Sequence, residues 1–489
     1  MAFQETPVFI PVDFMQEFLQ ESFAQVGCSI EESERVTRRL IGANLRGHES
    51  HGVARMPRYV EWVQKGTLIP NQKIRLIQEN EVLSILDGGH GFGQSIGEQT
   101  IQQGVEKALK HGVSVTALRN SGHLGRIGDW AELAAESKVA SLHMVNVRGS
   151  LLVAPFGGVD RRGSTSPFCC GIPRPDEPPV ILDFATSLVA EGKALVALRG
   201  GTPLPEGAII GPDGKLGNDP LPLYGEIPED RYPDPNVGPG ALTGFGLHKG
   251  AGLNFFMEMF AGALTGSGTS AGIQDTSLRP FCNGMLSVYF SLDYFHSDNW
   301  FAQEVRNYIE FYKDSRPAEP DGEVLIPGEV ELRLMKERMN TGLPLSQTSW
   351  KDLTQKAEKI GVDKKLVDQA RWENLGPDVN LVTRDTDLDE LLLVVDGKAE
   401  VVLKNGEIKY IPMGGFIGEQ SFITGSTTSA DVGTGAEATT LLRWDKKSLK
   451  NYLEHHETLK HTFDLILTAD LIFKLRSMDQ QQDVTHSQI

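Results

Sequence analysis

The chain has 489 residues, and 47 lysines and arginines against 65 aspartates and glutamates leave a formal net charge of −18. Hydrophobic residues at 40% and charged residues at 23% are the balance of a globular protein, too apolar for a disordered one. So acidic a chain lacks the basic stripe that nucleic-acid binding requires, and its apolar runs break well short of the roughly 18 residues needed to span a bilayer.

At roughly 100 to 200 residues per domain, the length predicts two to four domains. The start, MAFQETPVFIPVDFMQEFLQ, has no basic region ahead of an apolar run, so no secretory signal is read. Cys28, Cys169, Cys170 and Cys282 are too few for a disulfide scaffold and lack paired metal-ligand spacing, which points to a cytoplasmic location. The SPFCCGI context of Cys169 and Cys170 predicts a buried strand in preference to a redox switch.

Residues 11–45 predict two helices, with Val12, Phe14, Phe18 and Phe23 on the first apolar face and Val36, Leu40 and Ile41 beginning the second. They lead into the segment RGHESHGVAR, residues 46–55. A strand through Val82, Leu83, Ile85 and Leu86 ends in a Gly-rich turn, and a helix through Ile101, Val105, Ala108 and Leu109 follows. A second strand, Val113 to Leu118, runs into Asn120-Ser121-Gly122-His123-Leu124-Gly125. Between residues 139 and 185 the apolar runs VASLHMVNV, LLVAPFGG and PPVILDFATS alternate with turns, and residues 200–247 read as long ordered loops.

Behind Lys249-Gly250-Ala251-Gly252, a helix is predicted in which Leu253, Phe256, Met257, Phe260 and Leu264 form a stripe packed into the core. Trp350, Leu353, Ala357 and Ile360 mark a further helix stopped by Gly361. Residues 1–362 therefore form one domain, and 363–377 a linker. ELLLVVDGKAEVVL, an Asn405-Gly406 hairpin turn and EIKYIP then predict an antiparallel β-roll over 378–480, closed by helices from Asp445 to about Met478 and followed by a disordered tail at 481–489.

His48-Glu49-Ser50-His51 has the wrong spacing for a helical HExxH zinc site and no third ligand nearby, so no metal is expected. The segment does bring together the Ser50 hydroxyl, the His51 imidazole and the Arg55 guanidinium. If residues 40–60 are helical, His51 and Arg55 share a face, and the pair suits a planar carboxylate. His123, with Gly122 and Gly125 beside it, admits either a satisfied loop histidine or a catalytic one. Lys249-Gly250-Ala251-Gly252 opens a helix, where free backbone N–H groups and a lysine suit a diphosphate. Gly89-His90-Gly91-Phe92-Gly93 and Gly244-Phe245-Gly246 only approach the dinucleotide-binding pattern, so a Rossmann fold is not supported.

Taken together, RGHESHGVARMPRYVEWVQKG, RNSGHLGRIGDW, APFGG, ILDFATS, the Gly192-Lys193 pair, LPEG, HKGAGL and Ile326-Pro327-Gly328-Glu329 resemble, in order, the non-Rossmann malate/L-lactate dehydrogenase family. The resemblance implies an α+β fold of that family's own type and hydride transfer between NAD or NADP and C2 of a small 2-hydroxy or 2-oxo acid. It implies that His123 is the acid/base, that Ser50, His51 and Arg55 orient the substrate and hold its carboxylate, and that Asn146, Asp183, Phe184, Ala185, Lys249, Pro327 and Gly328 contact the cofactor. A homodimer with the active site near the subunit interface is also implied.

The chain departs from the family at Ser164-Thr165-Ser166-Pro167, where Gly-Thr-Asn-Pro is usual, and at Lys249-Gly250-Ala251-Gly252, where Lys-Gly-Tyr-Gly is usual. The C-terminal roll resembles a cyclic-nucleotide-binding domain, with Phe416-Ile417-Gly418-Glu419 like the start of its phosphate cassette. Thr428 stands where that cassette has an arginine, a loss of about 1.5–3 kcal/mol of phosphate contact. The roll is therefore expected to serve a structural or oligomerising role or to take an altered ligand, ahead of ordinary cyclic-nucleotide binding. A rival to the enzyme is a non-catalytic nucleotide sensor or scaffold built on a disabled dehydrogenase body.

Overall fold

The computed structural model describes residues 7–198, 203–226, 233–272, 282–295, 299–320, 322–362, 370–404, 406–412, 414–436, 438–454, 460 and 467. They form two compact units, Met1–Val362 and Asp363–Ile489. Asn405 of the expected hairpin, most of the expected helical stretch beyond Glu454 and the expected tail at 481–489 lie outside the described residues. Among the described residues no helix is long and apolar enough to cross a membrane.

The first unit is built on a seven-stranded sheet in the order Arg75–Glu79, Leu83–Asp87, Val113–Ser121, Cys282–Ser291, Val139–Arg148, Phe168–Arg174, Glu177–Phe184. Only Leu83–Asp87 and Val113–Ser121 pair in parallel, joined by the helix Gly93–His111; every other neighbour is antiparallel. This is the mixed α+β arrangement expected, without the doubly wound sheet of a Rossmann domain. Cys169 is buried and Cys170 partly buried in Phe168–Arg174, and burial pushes both thiols up, which keeps them protonated and unreactive.

Helices Gly93–His111 and Gly128–Glu136 cover the sheet through a core that includes Leu86, Ile96, Leu118, Trp130, Met285 and Tyr289. Two helical glycines set how closely these layers meet. A Cβ at Gly97 would stand 2.5 Å from the Trp130 ring, and one at Gly104 would stand 2.2 Å from the Tyr289 ring. Residues 203–247, expected as loops, contain a small sheet of Ile209–Ile210, Leu216–Gly217 and Ala241–Leu242 over a second core with Leu223 and Tyr224.

Three local expectations are corrected. The buried positions of Val12–Gln25 are Met15, Leu19, Ser22 and Phe23, whose apolar members are spaced i, i+4, i+8, whereas Phe14 and Phe18 lie at the edge against Trp350. The chain from 46 to 55 is not one α-helix: Gly52 separates two 3₁₀ turns, Glu49–His51 and Val53–Arg55. The stripe at 253–264 is not core either. Met257 is buried, but Phe256 is 53% exposed, Phe260 38% and Leu264 64%; after the helix His248–Met257 the chain passes into a π-helical segment, Glu258–Leu264, in which Glu258, Ala261 and Gly262 face inward instead. A Cβ at Gly284 would stand 2.0 Å from the Ala261 carbonyl oxygen, so the small residues decide which side meets the sheet.

In the second unit, one four-stranded sheet runs Ala370–Leu375, Thr439–Asp445, Glu390–Asp396, Phe416–Ile417, and another runs Asn380–Val382, Asp431–Gly433, Lys398–Val402, Ile408–Pro412. All pairings are antiparallel. The boundary expected at 378 moves back, since Ala370–Leu375 is a full strand of the roll. Leu391 and Leu392 show the two-residue period at work: Leu391 packs with Phe422, Trp444 and Leu449 under the helices, and Leu392 with Val382, Ala399 and Val432 between the sheets.

The close approach at Gly104 yields a stability test. The buried Tyr289 is held by Thr116 Oγ1 at 3.1 Å and cannot swing aside. Gly104→Ala is expected to lower stability by about 1–2 kcal/mol despite its better helix propensity, read as a lower Tm in thermal unfolding.

Candidate active site

The turn after the strand Val113–Ser121 carries His123 onto the start of the helix Gly93–His111. Only a glycine permits this crossing, because a Cβ at Gly93 would lie 2.1 Å from the His123 carbonyl oxygen. Gly122 N–H donates to Gly91 O at 2.9 Å and Leu124 N–H to Asn283 Oδ1 at 2.9 Å, so the turn is held on both sides of the histidine. His123 is buried, with 7% of its surface exposed.

The segment His48–Arg55 is anchored separately. Asn44 Oδ1 accepts the Val53 N–H at 2.7 Å, and Gly52 lies so close to the Asn44 amide that no side chain fits there. Arg338 reaches the Asn44 carbonyl and pairs with Glu49 at 2.6 Å. The two 3₁₀ turns thus deliver His51 beside His123, with His51 Nδ1 3.1 Å from His123 Nε2 and the rings stacked at 5.1 Å. Arg55 folds back to donate to the Ser50 carbonyl, which leaves Ser50, His51 and Arg55 together although no shared α-helical face exists. A Cβ at Gly192 would stand 3.0 Å from Ser50 Cβ, so the start of the helix Glu191–Leu198 packs directly on this turn.

Burial lowers His51 to about 3, helped by the positive charge of Arg55, and burial with Arg55 and His51 holds His123 well below 6.5. Both imidazoles are therefore neutral at pH 7. Among the described residues no group of acidic, histidine and cysteine side chains has the geometry to hold a metal.

Asp183, Phe184 and Ala185 stand at the end of the strand Glu177–Phe184. Asp183 Oδ2 accepts the Gly128 N–H at 2.7 Å; burial raises its carboxyl against the lowering pull of Arg126 and His48. Gly128 opens the helix Gly128–Glu136, and the buried Arg126 is paired with Asp129 at 2.8 Å and Glu132 at 2.9 Å. Pro327 and Gly328 form the turn before the helix Glu329–Thr341, where Gly328 takes φ +94 against Ile181. Ile181, Arg126, Gly328 and Leu332 line one cavity of about 510 Å³, so two segments far apart in sequence border the same space.

At two of the expected cofactor positions, hydrogen-bonding groups are engaged within the fold. The fully buried Asn146 donates to Gly268 O at 3.0 Å and accepts the Gly284 N–H at 3.1 Å, so its amide fastens a loop to the sheet. At Lys249-Gly250-Ala251 the N–H groups are not free for a diphosphate: they donate to Gly246, Phe245 and Leu247 carbonyls at 3.3, 2.8 and 3.1 Å. Only the exposed Lys249 side chain keeps the expected character. The divergent segment Ser164–Pro167 is clamped, with Thr186 Oγ1 donating to Ser166 O at 2.9 Å and Asn254 Nδ2 donating to Ser164 O at 2.5 Å.

Sequence reasoning missed Tyr59 and Gln94. Tyr59 Oη lies 2.6 Å from His123 Nδ1, and Gln94 Nε2 donates to the same oxygen at 2.9 Å. Both stood inside or beside noted motifs, Tyr59 four residues after Arg55 and Gln94 directly after the Gly89–Gly93 run, but neither residue type announces a site. In the second unit Gly418, at φ +88, precedes the helix Glu419–Thr424 as expected of a turn into a helix. Thr428 Oγ1 is spent on Thr383 O at 2.6 Å and on the Thr386 backbone.

The malate/L-lactate dehydrogenase family profile matches residues 10–354. Hydroxycarboxylate dehydrogenase B of Escherichia coli K12 is 36% identical over 354 residues, covering 72% of this chain and 94% of that protein. The L-lactate dehydrogenase of Cupriavidus necator is 33% identical over 334 residues, covering 68% of this chain and 91% of its own. The solved structure of malate dehydrogenase from Pyrococcus horikoshii OT3 superposes with a TM-score of 0.62 at 29% identity, covering 73% of this chain and 97% of that one. The mixed sheet, the paired histidines and these matches lead to one conclusion: the chain belongs to the malate/L-lactate dehydrogenase family.

Proposed function

We propose that the first unit interconverts a small 2-hydroxy acid and its 2-oxo acid with NAD or NADP, at the site formed by His123, His51, Ser50 and Arg55. The observation that carries this reading is the convergence of two neutral imidazoles and a guanidinium where the turns at 48–55 and 122–125 meet. Arg55 grips the substrate carboxylate, and Ser50 and His51 orient the carbon to be reduced. His123 hydrogen-bonds the C2 oxygen, and the proton that this oxygen takes up as hydride reaches C2, or gives up in the reverse direction, passes through its ring, with water as the ultimate donor or acceptor. Being neutral, His123 polarises a carbonyl as a hydrogen-bond donor without an imidazolium population near pH 7. Hydroxycarboxylate, L-lactate and malate dehydrogenases among the matches support this substrate class.

The residues present fit a nicotinamide dinucleotide. Gly328 and Ile181, the latter two residues before Asp183, border a cavity of about 510 Å³, a volume that suits part of a dinucleotide. Asp183, Phe184, Ala185, Pro327, Gly328 and the Lys249 side chain would hold it. When bound, the nicotinamide supplies or accepts the hydride at C2. A homodimer is supported by the apolar face of 255–264, on which Phe255 is 61% and Leu264 64% exposed. The four unpaired thiols suit a reducing, cytoplasmic setting. A cyclic nucleotide fits the second unit poorly, since Thr428 supplies no cation and its hydroxyl is already engaged.

NADH and NADPH titration followed by a spectrophotometric screen of small 2-oxo acids tests the reading; saturable binding with no turnover on any 2-oxo acid would oppose it. His123→Ala is expected to lower kcat by about 10² or more while cofactor binding persists. Arg55→Ala is expected to raise KM for the acid about ten- to a hundredfold, the worth of a charge-assisted contact. Because burial keeps both imidazoles neutral, kcat for reduction should show no inflection near pH 6.5; a break at that pH would mean that His123 titrates like a solvated histidine.

A further inference from the structure

Tyr59 is fully enclosed, packed edge-on against Phe92, stacked near Trp62 and tilted toward Phe23. So well fixed a ring has one polar atom to place, and that oxygen meets only two groups at hydrogen-bond distance in the described geometry: Gln94 Nε2 at 2.9 Å and His123 Nδ1 at 2.6 Å. Gln94 is itself buried, at 1% exposure. Its amide N–H donates to Tyr59 Oη, so the phenolic proton is left to point at His123 Nδ1. A ring nitrogen that accepts cannot also carry the proton of a neutral imidazole, and the proton therefore sits on Nε2. Nε2 is the nitrogen that faces His51, 3.1 Å away, on the side of Ser50 and Arg55.

We propose that Tyr59 and Gln94 are positioning residues that set the direction of a donor chain, Gln94 to Tyr59 to His123 to His51, and so pin His123 in the Nε2–H tautomer, whose N–H rests on His51 until the substrate's C2 oxygen replaces His51 as its acceptor. This deepens the dehydrogenase reading and rests on it for its catalytic consequence: the resting enzyme meets a 2-oxo acid with a donor already aimed at the carbonyl side. The tautomer itself is independent of that reading. Burial supports the arrangement, since it keeps the His123 ring neutral and so leaves a single proton to be placed.

The test is ¹⁵N NMR of the full-length protein with ring-labelled histidine, in wild type, Tyr59→Phe and Gln94→Glu, alongside steady-state kinetics. His123, identified by the signal lost in His123→Gln, should carry its proton on Nε2 in the wild type. Gln94→Glu replaces a donor by an acceptor, so Tyr59 turns its proton toward the carboxylate and the His123 proton moves to Nδ1. Tyr59→Phe keeps the ring packing and should leave a mixture of tautomers, with kcat for reduction at least about tenfold lower and KM nearly unchanged. A merely structural role would lower Tm in these variants without moving the proton. An Nδ1 proton in the wild type, or the same tautomer in all three proteins, would overturn the proposal. A wild type with the expected tautomers but no turnover of any 2-oxo acid would refute the dehydrogenase reading and leave the positioning role standing.

Discussion

The contact between His51 Nδ1 and His123 Nε2 is the constraint around which the first unit is arranged. The two imidazoles come from segments 72 residues apart, and neither segment is a regular helix or strand at that point. Bringing two rings to 3.1 Å requires both backbones to be fixed, and the structure fixes them by different means. The His123 turn lies on a helix start that tolerates it because Gly93 has no side chain, and the His51 turn is tied to Asn44. The enclosure of His123, the half-burial of His51 and the nearby Arg55 charge disfavour the cationic form of each ring, so their basicity falls together.

The same economy of small residues shapes the rest of the unit. Gly97 and Gly104 let a helix settle onto Trp130 and Tyr289, and Gly262 and Gly284 let the π-helical segment settle onto the other part of the sheet. A π-turn widens the helix and shifts its side chains by part of a turn. Here Phe260 and Leu264 face outward, as Phe255 and Phe256 of the preceding α-helix do, while Ala261 and Gly262 lie against the strands. The exposed phenylalanines form the surface that the homodimer reading uses.

The second unit obeys a simpler rule. Its strands alternate strictly between two cores, so short segments of ordinary composition make a stable roll. Thr428 shows the limit of arguing from a motif. Its hydroxyl has become part of the fold, bound to the 383–386 turn, so the position does structural work where a binding cassette would place a charge.

Much of this was legible in the linear chain. Periodicity located the helix Gly93–His111, the strands around it and the helix Gln347–Lys359, because a period of 3.6 or 2 is a local property of the backbone. For His123, Ser50, His51, Arg55 and Asp183 the residue types and their glycine neighbours were legible, while the roles expected of them came from the resemblance of the ordered motifs to a known family. Contacts at long sequence separation were decided by the path of the chain. Tyr59 and Gln94 meet His123 only because a turn, a helix start and a 3₁₀ pair converge. The N–H groups at Lys249-Gly250-Ala251 were closed off by the carbonyls of a preceding turn, and the stripe at 253–264 faced largely outward. A sequence states which groups a chain owns and which local shapes it favours; which of those groups touch, and which are already satisfied, depends on the balance of packing over the whole unit.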